Sequence, residues 1–280
     1  MTEINFVEIF QKMKTILITG ASSGIGKETA LFFAKKGWNV AATMRNIHSI
    51  NTSEFPNIKK FLLDVVDEKS IQTAIEKAIQ TFGSIDVLVN NAGYAAVGAF
   101  EYASTEQVKK QFDVNVFGLM NVTRAILPYF RKMGRGTIVN VASVAGHAAF
   151  PIFSLYNATK FAVEGFSEAL QYELKQFNIK IKIVEPGPIK TDFYDRSMDV
   201  FTHPEINAYD AYINPVVKKM GEMGMKGLPP VAVSKTIYKA AISTSYKMHY
   251  PVKIQAKALI CMKRVIPGTV FRGLVGLTLK

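Results

Sequence analysis

The 280-residue chain has one cysteine, Cys261, and no apolar run of the length that crosses a bilayer. A single cysteine excludes an intrachain disulfide, so a reducing cytoplasm is the simplest expected location. A spanning helix needs about 18 or more consecutive apolar residues, so no transmembrane segment is expected. The histidines are His48, His147, His203 and His249. Their spacing matches no metal-ligand motif, and no metal site is therefore predicted.

Acidic residues are missing from the last fifth of the chain. Residues 223–280 contain no Asp or Glu but ten Lys and Arg residues, so nearly all of the net charge of +12 lies there. Residues 255–280 combine this charge with apolar side chains, which suits an anionic membrane surface or the attraction of acidic substrates and cofactor. A helix packed on the domain with its lysines solvated is the alternative. No nucleic-acid recognition motif accompanies the charge, so no nucleic-acid partner is expected.

A glycine-rich turn follows the first apolar run. Residues 14–19 are β-rich, the turn spans 20–26, and apolar residues then recur at helical spacing until Gly37. Glycines permit a tight turn and let backbone N–H groups approach a pyrophosphate at a helix N-terminus. The spacing is G-x-x-x-G-x-G rather than G-x-G-x-x-G, so a turn without a ligand is the alternative. The candidate cofactor-binding residues here are Gly20, Ser22, Ser23, Gly24, Ile25 and Gly26.

The end of the second predicted strand bears on the choice of nucleotide. In NAD-preferring proteins with a strand, glycine turn and helix of this kind, an acidic residue near the end of the second strand binds the ribose. Met44 occupies that position here, and Arg45 follows it. A carboxylate would repel a 2′-phosphate, whereas a guanidinium can bind it bidentately. The two residues therefore favour NADP(H), and a solvent-facing arginine is the alternative.

Three further loops follow predicted strands, at the edge where ligands bind in open parallel sheets. Their candidate cofactor-binding residues are Asp64, Val65, Asn91, Ala92, Gly93, Pro186, Gly187, Ile189 and Thr191. The Asp64 carboxylate could accept a hydrogen bond from an adenine amino group. Taken alone, each loop would be interpreted as a plain turn.

A tyrosine and a lysine four residues apart, Tyr156 and Lys160, share one face of a predicted helix. A cation within about 4–6 Å favours the ionised form of a phenol and so lowers its pKa from about 10. On a surface helix the same pair would be solvated and without function. The glycine turn and the serine upstream of the pair make a catalytic role for the pair the better interpretation.

Taken together, these motifs closely resemble those of the short-chain dehydrogenase/reductase family over roughly residues 14–250. The resemblance rests on the glycine turn with Thr19, Asn90-Asn91-Ala92-Gly93, Asn115, Ser143, Tyr156-x-x-x-Lys160 and Pro186-Gly187. It implies hydride transfer between a nicotinamide cofactor and a carbonyl or alcohol. Tyr156 would be the general acid in reduction and the general base in oxidation, and Lys160 would lower its pKa and hold the nicotinamide ribose.

The resemblance implies three further roles. Ser143 would donate a hydrogen bond to the substrate oxygen, and Thr191 would contact the nicotinamide carboxamide. Asn115 would bind, through its backbone, a water that links Lys160 to solvent. Asparagine is a poor residue for a helix interior, so its position in a long predicted helix also suggests a kink.

Alternating strand and helix signals over 14–190 predict an α/β fold: one doubly wound Rossmann-type domain with a central parallel sheet flanked by helices. We expect residues 1–13 to be an N-terminal extension, 14–254 the domain, and 255–280 a basic, apolar C-terminal segment of it. Between Thr191 and Pro229 the rhythm stops, which predicts a substrate lid over about 192–230. Its aromatic and methionine residues, Phe193 and Tyr194 among them, suit an apolar pocket.

The leading hypothesis is an NADP-dependent carbonyl reductase acting on an apolar ketone or secondary alcohol that is steroid-, retinoid- or lipid-like. A 3-oxoacyl-thioester reductase is one alternative. A non-catalytic nucleotide sensor is another, although such a protein has no need for all of Ser143, Tyr156 and Lys160. A membrane-recruited interaction protein that uses the basic C-terminus is a third. We also expect a homodimer or homotetramer.

Overall fold

The computed structural model describes residues 13–191 and 198–278. Residues 1–12, which make up nearly all of the predicted N-terminal extension, lie outside the described residues. Phe193 and Tyr194 of the predicted lid lie outside them as well.

The strands and helices follow one another in an α/β order. The described strands are β1 (Thr15–Ile18), β2 (Asn39–Met44), β3 (Ile58–Leu62), β4 (Val87–Asn90), β5 (Ala95–Val97), β6 (Gly136–Val141), β7 (Ile179–Glu185), β8 (Met198–Val200) and β9 (His249–Pro251). The described helices are α1 (Gly24–Lys35), α2 (Glu68–Phe82), α3 (Thr105–Phe112), α4 (Gly118–Met133), α5 (Ser154–Leu174), α6 (Asp210–Met225), α7 (Pro230–Ile242), α8 (Lys253–Val265) and α9 (Gly268–Thr278).

Seven strands form one parallel sheet in the order β3-β2-β1-β4-β6-β7-β9. The strand order reverses between β1 and β4, and this reversal opens a crevice at the carboxyl ends of the strands. The predicted fold class is confirmed. The three-residue strand β9 was not predicted, because its sequence shows no alternation of apolar and polar residues.

Both faces of the sheet are covered by helices. Ile16 and Ile18 of β1 pack in one apolar cluster with α1 and α7, whereas Leu17 packs in a second cluster with α2, α4 and α5. Successive side chains of a strand point to opposite faces, so an uninterrupted apolar run can be buried on both sides. The apolar run at residues 15–18 therefore places β1 in the centre of the sheet.

The long predicted helix around Asn115 is interrupted. Asp113–Phe117 forms a π-helical turn between α3 and α4, and Asn115 is buried within it. Such turns widen the helix and are frequent at functional sites. The predicted irregularity at Asn115 is confirmed.

The region predicted to be an irregular lid contains regular structure. Strand β8 pairs with β5, and α6 is a helix of 16 residues. The prediction of an irregular stretch was wrong for α6, because Pro215 and two glycines inside it weaken the local helix signal. Burial of Ile213 and Val216 against the rest of the domain stabilises the helix in spite of that signal.

The basic C-terminal segment forms two helices, of which α8 begins at Lys253, close to the predicted boundary at 254. Ala256 and Ile260 of α8 pack against Val144, and Phe271 of α9 is buried. One side of the segment is thus packed on the domain, as the alternative interpretation proposed. In the described ranges, each helix is too short or too polar to cross a membrane.

Candidate active site

A cavity of about 700 Å³ opens at the carboxyl ends of the parallel strands. Its wall contains residues that follow β1, β2, β3, β4, β6 and β7, together with residues of α5 and α6. This is the crevice that the reversal of strand order creates, and its size is typical of a site for an organic ligand.

The glycine turn forms the floor of the cavity at the end of β1. Gly20 and Gly24 have φ of +66° and +50°, which L-residues with side chains rarely adopt. A Cβ atom on Gly26 would lie 2.2 Å from the Gly20 carbonyl oxygen, so glycine is needed for α1 to pack against the turn. Helix α1 therefore begins at the cavity, and its first N–H groups are available to an anion.

Thr19 and Asn91 hold this turn in place. The Asn91 side-chain amide donates to the carbonyl oxygens of Thr19 and Gly20 at 3.0 and 3.1 Å. The Thr19 hydroxyl accepts from the backbone N–H groups of Asn91 and Ala92, both at 3.0 Å. The two loops form one hydrogen-bonded unit, which holds the glycine turn in place at the edge of the cavity.

The end of β2 presents a cation without a neighbouring carboxylate on that strand. Met44 is buried, with its sulfur 3.4 Å from the Ser49 hydroxyl, whereas Arg45 is exposed and lines the cavity. Asp64 lines the cavity at the end of the next strand, and its carboxylate accepts a hydrogen bond from Val66 N–H at 3.2 Å.

Ser143, Tyr156 and Lys160 line the same cavity. The Lys160 Nζ donates to the Val141 carbonyl at 2.9 Å and lies 5.6 Å from the centroid of the Tyr156 ring. The Phe153 ring packs edge-on against Tyr156, with centroids 5.7 Å apart. A serine hydroxyl, a phenol and an ammonium group thus line the cavity that also contains the glycine turn.

Tyr94 and Tyr156, two tyrosines in the cavity wall, lie in different electrostatic surroundings. Burial lowers the pKa of Lys160 to about 8, so its ammonium group is still charged at neutral pH beside Tyr156. Burial, with Asp199 and Asp113 adding to it, raises the pKa of Tyr94 to about 12. Tyr94 is therefore a much weaker acid than a free phenol although the exposed Lys110 lies near its ring, whereas Tyr156 lies beside the buried ammonium group of Lys160.

The family model of short chain dehydrogenase matches residues 14–199. The chain belongs to the short-chain dehydrogenase family. It is an oxidoreductase of this family, whose members act on CH–OH and C=O groups with NAD(P)(H).

Known proteins are similar to this chain over most of their length. The 3-ketodihydrosphingosine reductase of Bacteroides thetaiotaomicron is 40% identical over 199 residues, which cover 71% of this chain and 72% of the relative. A solved short-chain dehydrogenase from Streptomyces avermitilis has a TM-score of 0.79 and 31% identity, and the match covers 95% of each chain. The structure of ElxO with NADP bound has a TM-score of 0.72 and 29% identity, covering 88% of this chain and 99% of ElxO.

The short-chain dehydrogenase fold brings together nearly all of the residues predicted for its site. Every predicted cofactor-binding or catalytic residue lines the cavity except Gly26 and Asn115. Gly26 serves the packing of α1. The Asn115 side chain accepts from Tyr94 N–H at 3.1 Å, donates to the Tyr94 carbonyl at 2.8 Å and donates to the Thr159 hydroxyl at 3.3 Å. It fixes a cavity-wall residue to α5, and its backbone role toward a water stays a prediction.

Several wall residues were not predicted, among them Lys110, Asp199 and Leu259. Lys110 lies on the surface of α3, and its sequence context is that of an ordinary solvated lysine. Leu259 lies in the C-terminal segment, more than 100 residues from Ser143. The apolar spacing of Ala256, Leu259 and Ile260 indicates a helix with one buried face, but it does not reveal what that face covers.

Proposed function

We propose that the protein is an NADP(H)-dependent oxidoreductase that interconverts an apolar ketone and the corresponding secondary alcohol. The observation that carries the proposal is the convergence of Ser143, Tyr156 and Lys160 on the cavity that also holds the glycine turn. A non-catalytic nucleotide sensor would not need a proton donor, a substrate-binding hydroxyl and a buried cation in one cavity.

The cofactor preference rests on the end of β2. Arg45 provides an exposed guanidinium at the cavity, and the strand ends in Met44 instead of a carboxylate. A planar guanidinium matches the two oxygens of a phosphate, and this arrangement favours a ribose that carries a 2′-phosphate. Similar solved structures contain NADP in ElxO and NADH in a 3-ketoacyl-(acyl-carrier-protein) reductase, so the preference rests on Met44 and Arg45.

When bound in the cavity, NADPH would supply the hydride for reduction of the carbonyl carbon. Ser143 donates a hydrogen bond to the carbonyl oxygen and positions it. Tyr156 transfers its phenolic proton to that oxygen as negative charge develops, and the Lys160 ammonium stabilises the phenolate that remains. In oxidation Tyr156 takes the proton back from the alcohol.

The substrate side of the cavity is apolar. Its wall includes Phe150, Phe153, Met198, Met220, Met223 and Leu259. Aromatic rings and flexible methionines suit a lipid-like group, because they bury apolar surface without demanding a single shape. The name of the 40%-identical relative refers to a ketone on a long-chain base, which supports a long-chain or similarly apolar ketone. On this proposal α6, with Met220 and Met223, forms part of the substrate lid.

We expect kcat/KM for NADPH-dependent reduction to rise with the alkyl chain length of a ketone series. Each buried methylene contributes about 0.8 kcal/mol, or about fourfold, until the cavity is filled. Steady-state kinetics on methyl ketones of increasing length would measure the slope. The same panel should include a 3-oxoacyl thioester, because its preferred reduction would favour the alternative reductase.

Two methionine variants test whether the dependence of kcat/KM on chain length arises in the cavity. Met220→Gln, in the cavity wall, should flatten the slope, whereas Met133→Gln, on an exposed methionine at the end of α4, should leave it unchanged. A slope that is flat in the wild type, or equal in both variants, would contradict an apolar substrate site at α6.

The outer surface of α8 and α9 supports a peripheral membrane contact. Ile254, Met262, Val265, Val270, Leu274 and Leu277 are all exposed there. The same two helices carry five Lys and Arg residues and no acidic ones. Exposed apolar side chains amid basic ones are typical of a surface that lies on an anionic bilayer, where each Lys or Arg adds about 1 kcal/mol.

The double variant Val265→Asp/Leu277→Asp should bind anionic vesicles at least about tenfold more weakly than the wild type at low salt, since it removes apolar contacts and adds two repelled charges. The control is Phe100→Asp/Met133→Asp, which changes the charge equally on exposed apolar residues elsewhere. Vesicle co-sedimentation would measure both. Equal binding by the two double variants, or no binding by the wild type, would argue against this surface.

The expected homodimer or homotetramer stays a prediction. Exposed Phe117 beside α4, and exposed Phe161 and Tyr172 on α5, support an oligomeric contact on that side of the domain.

A further inference from the structure

Four potential metal ligands from four separate segments of the chain meet behind the loop that follows Ser143. His147 follows the 3-10 turn that begins after Ser143, and Glu164 lies on α5. Glu185 ends β7, and His249 begins β9. One ligand atom from each of these four residues lies within 4.8 Å of the others.

The distances within this cluster are close to those of a tetrahedral site. Glu185 Oε1 lies 2.8 Å from both His147 Nε2 and His249 Nδ1. Glu164 Oε1 is 3.5 Å from His147 Nε2, and Glu164 Oε2 is 3.7 Å from His249 Nδ1. Tetrahedral Zn²⁺ with bonds of about 2.0–2.1 Å separates its ligand atoms by about 3.3 Å. The four ligand atoms, one from each residue, lie within 4.8 Å of one another. The hydrogen-bonded pairs would open by about half an ångström on metal binding, and the widest pair would close by up to about 1.5 Å.

The carboxylates are buried and incompletely paired. The side chains of Glu164 and Glu185 are 7% and 1% exposed. Among the described residues, neither oxygen of Glu164 has a hydrogen-bond partner, and Glu185 Oε2 has none either. Buried carboxylates need a compensating charge and donors or a metal, and a divalent cation would balance two of them.

The surroundings of the cluster fit a ligand set. The other ring nitrogen of His249, Nε2, lies 3.3 Å from a Glu168 carboxylate oxygen. Metal-binding histidines commonly have such a carboxylate partner, which fixes the ring orientation. A Cβ atom on Gly146 would lie 2.8 Å from Glu164 Cγ, so the glycine leaves the space into which Glu164 extends.

We propose that His147, Glu164, Glu185 and His249 bind one Zn²⁺ ion. Two imidazoles with two carboxylates suit Zn²⁺, whereas Mg²⁺ and Ca²⁺ prefer oxygen ligands alone. Four protein ligands close the coordination sphere, which is typical of a structural site. The ion would tie the loop that follows Ser143 to α5, to the end of β7 and to the start of β9. The prediction of no metal site relied on spacing along the chain, whereas these ligands are up to 102 residues apart.

Calorimetric titration of the tag-free, metal-stripped full chain with Zn²⁺ tests the proposal. We expect one saturable equivalent and a Tm that rises by about 5 °C when Zn²⁺ is a hundredfold above its Kd. X-ray absorption of the loaded wild type should show two imidazole ligands. This measurement needs no variant and does not depend on enzymatic activity, so it is independent of the proposed function.

Near-isosteric variants test the ligands individually. Glu164→Gln and His147→Gln should each weaken Zn²⁺ binding by at least about tenfold to a hundredfold. His48→Gln, at an exposed histidine away from the cluster, should bind like the wild type. Circular dichroism establishes that each variant is folded. A wild type without a one-equivalent site, glutamine variants with unchanged affinity, or an absorption spectrum without imidazole ligands would each overturn the proposal.

Discussion

Tyr156→Phe is expected to lower the turnover of carbonyl reduction by about 10²- to 10⁴-fold, the usual contribution of general acid catalysis. The substitution removes only the phenolic oxygen, and the remaining ring can still pack edge-on against Phe153. Affinity for NADPH should therefore be nearly unchanged. Single-turnover kinetics and fluorescence titration with NADPH would measure the two quantities separately.

The control for this prediction is Tyr94→Phe, which makes the same chemical change in the same cavity. The Tyr94 hydroxyl is buried without a hydrogen-bond partner among the described residues, and burial raises its pKa to about 12. It should lose less than about tenfold in turnover. If Tyr156→Phe kept more than about a tenth of the wild-type rate, Tyr156 would not be the proton donor.

Arg45→Asp should weaken NADPH binding by about ten- to a hundredfold or more and leave NADH binding much less affected. A charge-assisted pair with a phosphate contributes about 1.5–3 kcal/mol, and the new carboxylate would in addition repel the 2′-phosphate. Equilibrium titration with both cofactors would measure the change in the NADPH/NADH affinity ratio.

Lys110→Ala provides the comparison for Arg45, because Lys110 is another exposed cation in the wall of the cavity. Lys110 lies near Tyr94, with its Nζ 5.5 Å from the ring centroid, and not at the end of β2. Its removal should change the affinities for NADPH and NADH by similar factors. An equal loss for both cofactors on changing Arg45 would show that this arginine does not contact the 2′-phosphate.

The residues that were correctly predicted to line the cavity could be found because their sequence signals are local. Gly20 is needed where the backbone must take a positive φ, and Gly26 where a side chain would collide with the preceding turn. Lys160 follows Tyr156 by one helical turn, a relation that any helix creates. Helix α6 was not predicted, because its local sequence, with Pro215 inside it, disfavours a helix. The helix forms because packing on the rest of the domain stabilises it.

The sequence by itself determined the alternation of strands and helices, the glycine turn and the Tyr156–Lys160 pair, because each depends on residues a few positions apart. Only the tertiary structure decided that Leu259 joins the cavity wall and that His147 and His249 meet two buried glutamates. These contacts join segments of the chain that are far apart in sequence. They depend on how helices pack on the sheet, and neither periodicity nor spacing encodes that packing.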